Sequence, residues 1–202
     1  MKQILLINSS ISGDKGHSAQ LAQQFINQLP QGSFTLDTLD LNQAPVPHLE
    51  MNEIAAWMTP AEQRNEEQQA LAAVSDGIIA RVQAADVIVL GVPMYNFGVP
   101  SQLKALLDRV ARAGITFKYT EQGPVGLLDD KPVIIFATRG GVYQGTALDS
   151  QTPFLQTFFN FVGLKSQHFI YAEGLNMGVD AQQAALAAAT ARLTEISAKI
   201  AA

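Results

Sequence analysis

At 202 residues the chain has the length of one domain with a substantial core, read here as a single unit over 1–202. Its residues are 48% hydrophobic and 15% charged, and no apolar run approaches the roughly 18 residues that a membrane span needs, so a membrane partner is not expected. The absence of cysteine excludes disulfides, thiolate metal sites and cysteine nucleophiles, and a formal charge of −5 without a Lys/Arg cluster argues against nucleic acid.

The chain opens on KQILLIN, with one Lys and no small-residue cleavage site, which predicts a strand and no signal peptide. With the missing cysteines, this fits a cytoplasmic protein. Ile4-Leu5-Leu6-Ile7 is short, apolar and uninterrupted, as a strand buried on both faces reads. NSSISGDKGHS follows and runs into a helix beginning near Ser18, with Leu21, Phe25 and Leu29 on one face. Residues 33–41 place Phe34 and Leu36 in alternation with polar residues, predicting a half-exposed edge strand. Residues 42–59, with Pro45, Pro47 and Trp57, are an excursion. Thr59-Pro60-Ala61-Glu62 then has the form of a capping box with Pro at the first helical position, opening a helix whose face is Leu71, Val74, Ile78 and Val82.

Val87-Ile88-Val89-Leu90 is a second buried strand, followed by GVPMYNFGVP and a helix opening at Pro100-Ser101. Residues 115–130 form a second excursion, two short β-like runs around Gln122-Gly123-Pro124. Val133-Ile134-Ile135-Phe136 is a third buried strand, ending in ATRGGVYQG. Thr152-Pro153 predicts another cap and helix, 166–172 a fifth strand, and Asp180 with Gln183 a capping box before a helix bearing Leu186, Leu193, Ile196 and Ile200.

Strands alternating with helices imply right-handed crossovers and an α/β three-layer sandwich. Five parallel strands suit the flavodoxin-like order 2-1-3-4-5, in which the carboxyl ends of strands 1, 3 and 4 open onto one crevice. Three loops meet there. In the first, a helix start offers unpaired N–H groups to an anion, with Ser10, Ser18 and the amides of Gly16 and His17 as donors. Neither GxGxxG nor GxxxxGK[ST] is present, which disfavours a dinucleotide fold and a P-loop. In the second, Pro93, Met94, Tyr95, Asn96 and Phe97 offer flat apolar surface and amides to a planar heteroaromatic ring. In the third, Thr138 leads to Gly140-Gly141, where backbone can approach a ligand closely, and either Arg139 or the neighbouring N–H groups face developing negative charge. Alone, each loop also fits an ordinary turn. Together they describe flavin mononucleotide.

The segments SSISGDKGHSAQL, PMYNFGVPSQLKALLDRVARAGITFKYTEQGPVGLL and TRGGVY resemble those of the FMN-dependent NADH:quinone oxidoreductases known as azoreductases, along essentially the whole chain. The resemblance implies a flavodoxin-like fold, non-covalent FMN, and a homodimer with two active sites at its interface. It puts Ser10 and Ser18 on the phosphate, Met94 through Phe97 on the isoalloxazine ring and Thr138 through Gly141 on the ring edge. Three positions depart from the family pattern: Gly16-His17 where Ser-x is common, Gly98-Val99 after the Phe, and Tyr143 where some members carry histidine.

The expected reaction is ping-pong. NADH or NADPH passes hydride to flavin N5, and a quinone or azo compound then takes the same place and accepts two electrons. No protein residue is assigned as catalytic and no metal is expected. Trp57, Phe117, Tyr119 and Phe161 are the candidate substrate walls, some of them brought across by a partner subunit. The alternative reading is a flavodoxin-type FMN electron carrier, which would use the same loops but want a strongly acidic docking face.

Overall fold

The computed structural model describes residues 1–201. Five strands build its main sheet: β1 (Lys2–Asn8), β2 (Phe34–Asp40), β3 (Val87–Pro93), β6 (Val133–Thr138) and β7 (Gln167–Ala172). All pair in parallel, in the order β2-β1-β3-β6-β7. Counting only the strands of this sheet, that is the expected order 2-1-3-4-5. The intervening pair, β4 (Phe117–Thr120) and β5 (Gly123–Gly126), forms a separate antiparallel hairpin in the 115–130 excursion.

Strand periodicity decides which layer each side chain joins. Ile4 and Leu6 of β1, with Ile134 and Phe136 of β6, face α1 (His17–Gln28) and α6 (Val179–Ala201). Their neighbours Leu5, Ile7, Val133 and Ile135 face the opposite layer, in which α3 (Glu66–Ala84), α4 (Ser101–Val110) and α5 (Gln151–Val162) lie. β3 and β6 are buried at every residue, as central strands covered on both faces must be. Phe25 of α1 packs on Phe136 with ring centroids 5.9 Å apart.

Five local expectations are corrected. The helix expected from Thr59 begins at Glu66 instead, capped by Asn65 and Gln68, whose side chains and amides bond reciprocally at 2.8 and 3.1 Å. Thr59 closes α2 (Met51–Met58), its hydroxyl donating to the Ala55 carbonyl at 2.9 Å, and residues 61–63 make only one 3₁₀ turn. On α3, Val74 is exposed, and Ala72, Ser75, Ile78 and Val82 form the buried face. Helix α5 starts at Gln151 rather than after Thr152, because the Thr152 amide donates to the Asp149 carboxylate at 3.0 Å and its hydroxyl accepts from Arg139. Asp180 lies inside the first turn of α6, and Leu36 of β2 points to solvent.

The excursion at 42–59 contains α2 and is held by a buried ion pair. Arg109 on α4 donates through Nε to Glu53 Oε1 at 3.0 Å and through Nη2 to Glu53 Oε2, and it also donates to the carbonyls of Pro47 and His48. The hairpin sits against the end of α5. The Leu128 amide donates to the Val162 carbonyl at 3.0 Å, and a Cβ on Gly126 would lie 2.1 Å from the Gly163 nitrogen. Because α4 and α5 both start at strand carboxyl ends and run back, the hairpin lies at the amino end of the sheet. Among the described residues, no helix is long and apolar enough to cross a membrane.

Breaking a buried pair leaves one charge without a partner, so Glu53→Ala should cost about 3–5 kcal/mol in urea unfolding. A loss within experimental error would mean that Arg109 does not anchor the excursion.

Candidate functional site

The carboxyl ends of β1, β3 and β6 frame a cavity of about 390 Å³. Ser10, Gly16 and His17 wall one side, Met94 and Tyr95 the next, and Thr138 and Gly140 the third. A second space of about 260 Å³ adjoins it, lined by Asn96, Phe97 and Tyr143, and shares Met94, Gly140 and Asn176 with the first. The three predicted loops therefore converge.

At the first wall, α1 starts at His17 with Gly16 as N-cap and no side chain capping it. The earliest amide paired within the helix is that of Gln20, which donates to the Gly16 carbonyl at 3.0 Å. The amides of His17, Ser18 and Ala19 have no acceptor among the described residues. Such an end attracts an anion. Ser18 Oγ is fully buried there and also unpartnered. Gln182 Nε2 lies 3.3 Å from His17 Nε2, and His17 Nδ1 is buried without a partner. A Cβ on Gly16 would lie 2.2 Å from Ser10 Oγ, so only glycine lets the two segments approach.

The second wall is a tight turn. Tyr95 and Gly98 exchange backbone hydrogen bonds at 3.1 and 2.9 Å around Asn96 (φ 47°) and Phe97 (φ 65°). Two consecutive non-glycine residues in the left-handed region are strained, and such strain gathers at functional sites. Gln151, itself buried, holds the turn by donating to the carbonyls of Pro93 at 3.0 Å and Gly98 at 3.3 Å. Tyr95 joins this wall to the first, its hydroxyl accepting from the Ile11 amide at 3.3 Å and lying 3.4 Å from Ser10 Oγ. Phe97, half exposed, meets the edge of Tyr143 at 5.6 Å.

The third wall decides between the two options for Arg139. Its guanidinium is buried and turned into the protein, donating to Asp149 at 2.9 Å, Glu173 at 3.0 Å and Thr152 at 2.8 Å. With its guanidinium turned inward Arg139 offers the cleft no cation, which leaves the N–H groups of Gly140 and Gly141 as the candidate donors. Ser18 and Gly141 stand behind the lining rather than in it.

Trp57, Phe117, Tyr119 and Phe161 do not line this cleft. They gather at the other end of the sheet, where Phe117 packs on Phe161 at 4.3 Å and on Tyr119 at 5.5 Å. Trp57 and Phe117 share a mostly apolar cavity of about 600 Å³. Trp57 also receives Arg112, its guanidinium carbon 5.1 Å from the ring centroid, while the indole N–H is buried unpartnered.

Reading the loops missed Ser12, Lys15, Leu175 and Asn176, which also line the cleft. Lys15 has no ion-pair partner among the described residues. Leu175 and Asn176 follow β7, and extending the strand-end rule to the fifth strand would have found them. Among the described residues, no group of three His, Cys, Asp or Glu is placed to hold a metal.

An open parallel sheet with its cleft at a helix start and a strained ring-sized turn is the architecture of flavodoxin-like proteins, and the family model described as flavodoxin-like fold matches residues 2–196. Relatives narrow this further. The chain is 51% identical over 198 residues to an FMN-dependent NADH:quinone oxidoreductase of Alteromonas mediterranea, covering 98% of this chain and 99% of the relative. It is 58% identical over 182 residues to one of Cellvibrio japonicus, covering 88% and 90%. The chain belongs to the FMN-dependent NADH:quinone oxidoreductase family. Among solved structures it resembles an azoreductase from Bacillus anthracis str. Sterne (TM-score 0.89, 26% identity, 98% of this chain and 100% of that one). It also resembles an FMN-dependent NADH-azoreductase from Bacillus anthracis str. Ames Ancestor in complex with FMN (TM-score 0.89, 25% identity, all of both chains).

The wall is sensitive to acid through Asp149. Burial alone would raise its pKa, but the Thr152 amide and the Arg139 guanidinium outweigh this and hold it below the ordinary carboxylate value. A depressed folded pKa gives stability that is complete above the unfolded value of about 3.9 and is lost as pH falls through the folded one. Asp149→Asn should therefore be less stable than wild type at neutral pH and lose less between about pH 5 and pH 2 in urea unfolding. Equal acid losses in both proteins would show that Asp149 is not the linked group.

Proposed function

We propose that this chain is an FMN-dependent oxidoreductase that uses NADH or NADPH to reduce quinones and azo compounds. The observation that carries the reading is the start of α1, where the amides of His17, Ser18 and Ala19 and the buried Ser18 Oγ have no partner among the described residues, directly behind the Gly16 and His17 wall of the cleft. This donor set fits a single phosphate, and Gly16 lets the Ser10 hydroxyl come close to the helix start, where a Cβ would collide with it. FMN supplies the two-electron hydride chemistry when bound.

The residues divide the work. Ser10, Ser18 and the amide of His17 hold the phosphate and Lys15 at the rim adds a positive charge, whereas the Gly16 amide, expected to join them, instead donates to the Gly13 carbonyl at 3.2 Å. Met94, Tyr95, Asn96 and Phe97 support the ring, whose pyrimidine end meets the N–H groups of Gly140 and Gly141. Those donors stabilise negative charge that develops at that end. No side chain of the cleft is assigned a proton transfer. Both substrates would occupy the same open part of the cleft in turn, which predicts ping-pong kinetics. The lack of cysteine accords with a cytoplasmic enzyme.

The aromatic cluster supports a homodimer. Trp57 and Phe117 line an apolar space, with Tyr119 and Phe161 packed on Phe117, at the amino end of the sheet and so on the opposite side from their own cleft. Tyr119 is 75% exposed, unusual for an aromatic with nothing to cover. A two-fold that sets the amino end of one chain over the carboxyl end of the other makes each cluster the wall of its partner's site. An electron carrier has no need of such walls, which disfavours that alternative.

With FMN-loaded protein, double-reciprocal plots of NADH oxidation at several quinone concentrations should be parallel. Tyr119→Ala should raise KM for bulky quinones while FMN affinity stays unchanged, and activity per subunit should fall on dilution below the dimer dissociation constant. Intersecting lines would exclude shared occupancy. A fully active monomer would remove the partner's aromatics from the site.

A further inference from the structure

The strand-end loop 139–144 is tied down on one side only. The carbonyls of Arg139, Gly140 and Gly141 accept from the amides of Leu175 at 3.1 Å, Asn176 at 3.0 Å and Gly174 at 2.9 Å. In a trans peptide the N–H points opposite to its C=O. Three successive peptide groups therefore turn their carbonyls toward residues 174–176 and their N–H groups, those of Gly140, Gly141 and Val142, away. None of these three amides has an acceptor among the described residues. The next two do. The amides of Tyr143 and Gln144 both donate to Glu173 Oε1 at 2.9 Å, and the same oxygen takes Arg139 Nη1 at 3.0 Å.

Glu173 thus closes the loop at both ends. Through Arg139 it reaches the residue before the glycines, and through Tyr143 and Gln144 the residues after them. Arg139 is in turn fixed by Asp149, Thr152 and Gln151, and its guanidinium lies 5.1 Å from the Tyr171 ring centroid. Glycines at 140 and 141 have no side chains, so their peptide planes are held by the carbonyl bonds to residues 174–176 and by Glu173 at the two ends of the loop.

We propose that Glu173, through Arg139 and the amides of Tyr143 and Gln144, is a positioning residue that sets the reduction potential of the bound flavin by fixing the outward N–H groups of Gly140 and Gly141. This rests on the FMN reading above. Amides aimed at the pyrimidine end favour the form that carries the added electrons, so a loop free to turn them away makes reduction harder. Glu173 is also a negative charge near the ring. As a charge alone it would act in the opposite direction, and its removal would make reduction easier. The sign of the shift separates positioning from simple electrostatics.

The test is the two-electron midpoint potential of FMN-loaded wild type, Glu173→Ala and Glu173→Gln, read by equilibration with a reference dye, beside FMN affinity by fluorescence quenching. Glu173→Ala should be more negative than wild type by about 30 mV, a tenfold change in the two-electron equilibrium. Glu173→Gln keeps one acceptor oxygen and should fall between the two, so it decides the question if the alanine variant fails to fold. A potential equal to or above wild type in any folded variant overturns the proposal. Failure of the wild type to bind FMN would instead refute the reading beneath it.

Discussion

Backbone amides are costly to leave unpaired away from water, yet the cleft is organised around several that have no protein acceptor. Those of His17, Ser18 and Ala19 are left by the start of a helix, and those of Gly140, Gly141 and Val142 by a loop whose carbonyls are bound elsewhere. The two sets lie at the carboxyl ends of β1 and β6, with the strained turn at Asn96 and Phe97 between them on β3. A parallel sheet makes this possible because all three strands end on the same side. The rest of the molecule keeps those ends in register: two apolar layers clamp the strands, and buried polar groups such as Gln151 and Glu173 fix what the apolar layers cannot.

Much of this could be read from the residues alone. Four-residue apolar runs in strands 1, 3 and 4 gave their existence and burial, because a strand covered on both faces admits no polar residue. The three loops were legible for a related reason: Ser-Gly, aromatic and Gly-Gly stretches at strand ends carry chemistry that a simple connection does not need. Helix starts were less legible. Thr59 and Thr152 both look like caps, but a threonine hydroxyl bonds whichever group lies nearest in three dimensions. For Thr59 that group is the Ala55 carbonyl behind it, and for Thr152 it is Arg139 thirteen residues away. Arg139 itself could be read as a ligand-facing cation or as a bystander to the neighbouring N–H groups. Its burial depends on Asp149 and Glu173, which are remote from its own loop and which no local pattern announces.

The four aromatics show a different limit. Sequence placed Trp57, Phe117, Tyr119 and Phe161 together as wall material, and three of them do touch in the fold. What it could not supply was direction. Their cluster lies at the amino end of the sheet, whereas the cleft lies at the carboxyl end. The two excursions that carry Trp57, Phe117 and Tyr119 are each bolted down, one by the Glu53–Arg109 pair and one by the close approach of Gly126 to Gly163. Such rigidity suits the proposed role of these surfaces as walls offered to a second copy of the chain.

The central claim is that the unpaired amides and Ser18 at the start of α1 hold the phosphate of FMN. Flavin binding to the apoprotein, followed by fluorescence quenching for wild type, Ser18→Ala and Ser18→Asp, tests it most directly. Wild type should bind FMN stoichiometrically and turn yellow. Ser18→Ala should weaken binding by about 1–3 kcal/mol, the range for a neutral to a charge-assisted hydrogen bond. Ser18→Asp, which sets a carboxylate against the phosphate, should bind far more weakly still. Equal affinity in all three, or riboflavin bound as tightly as FMN, would contradict it.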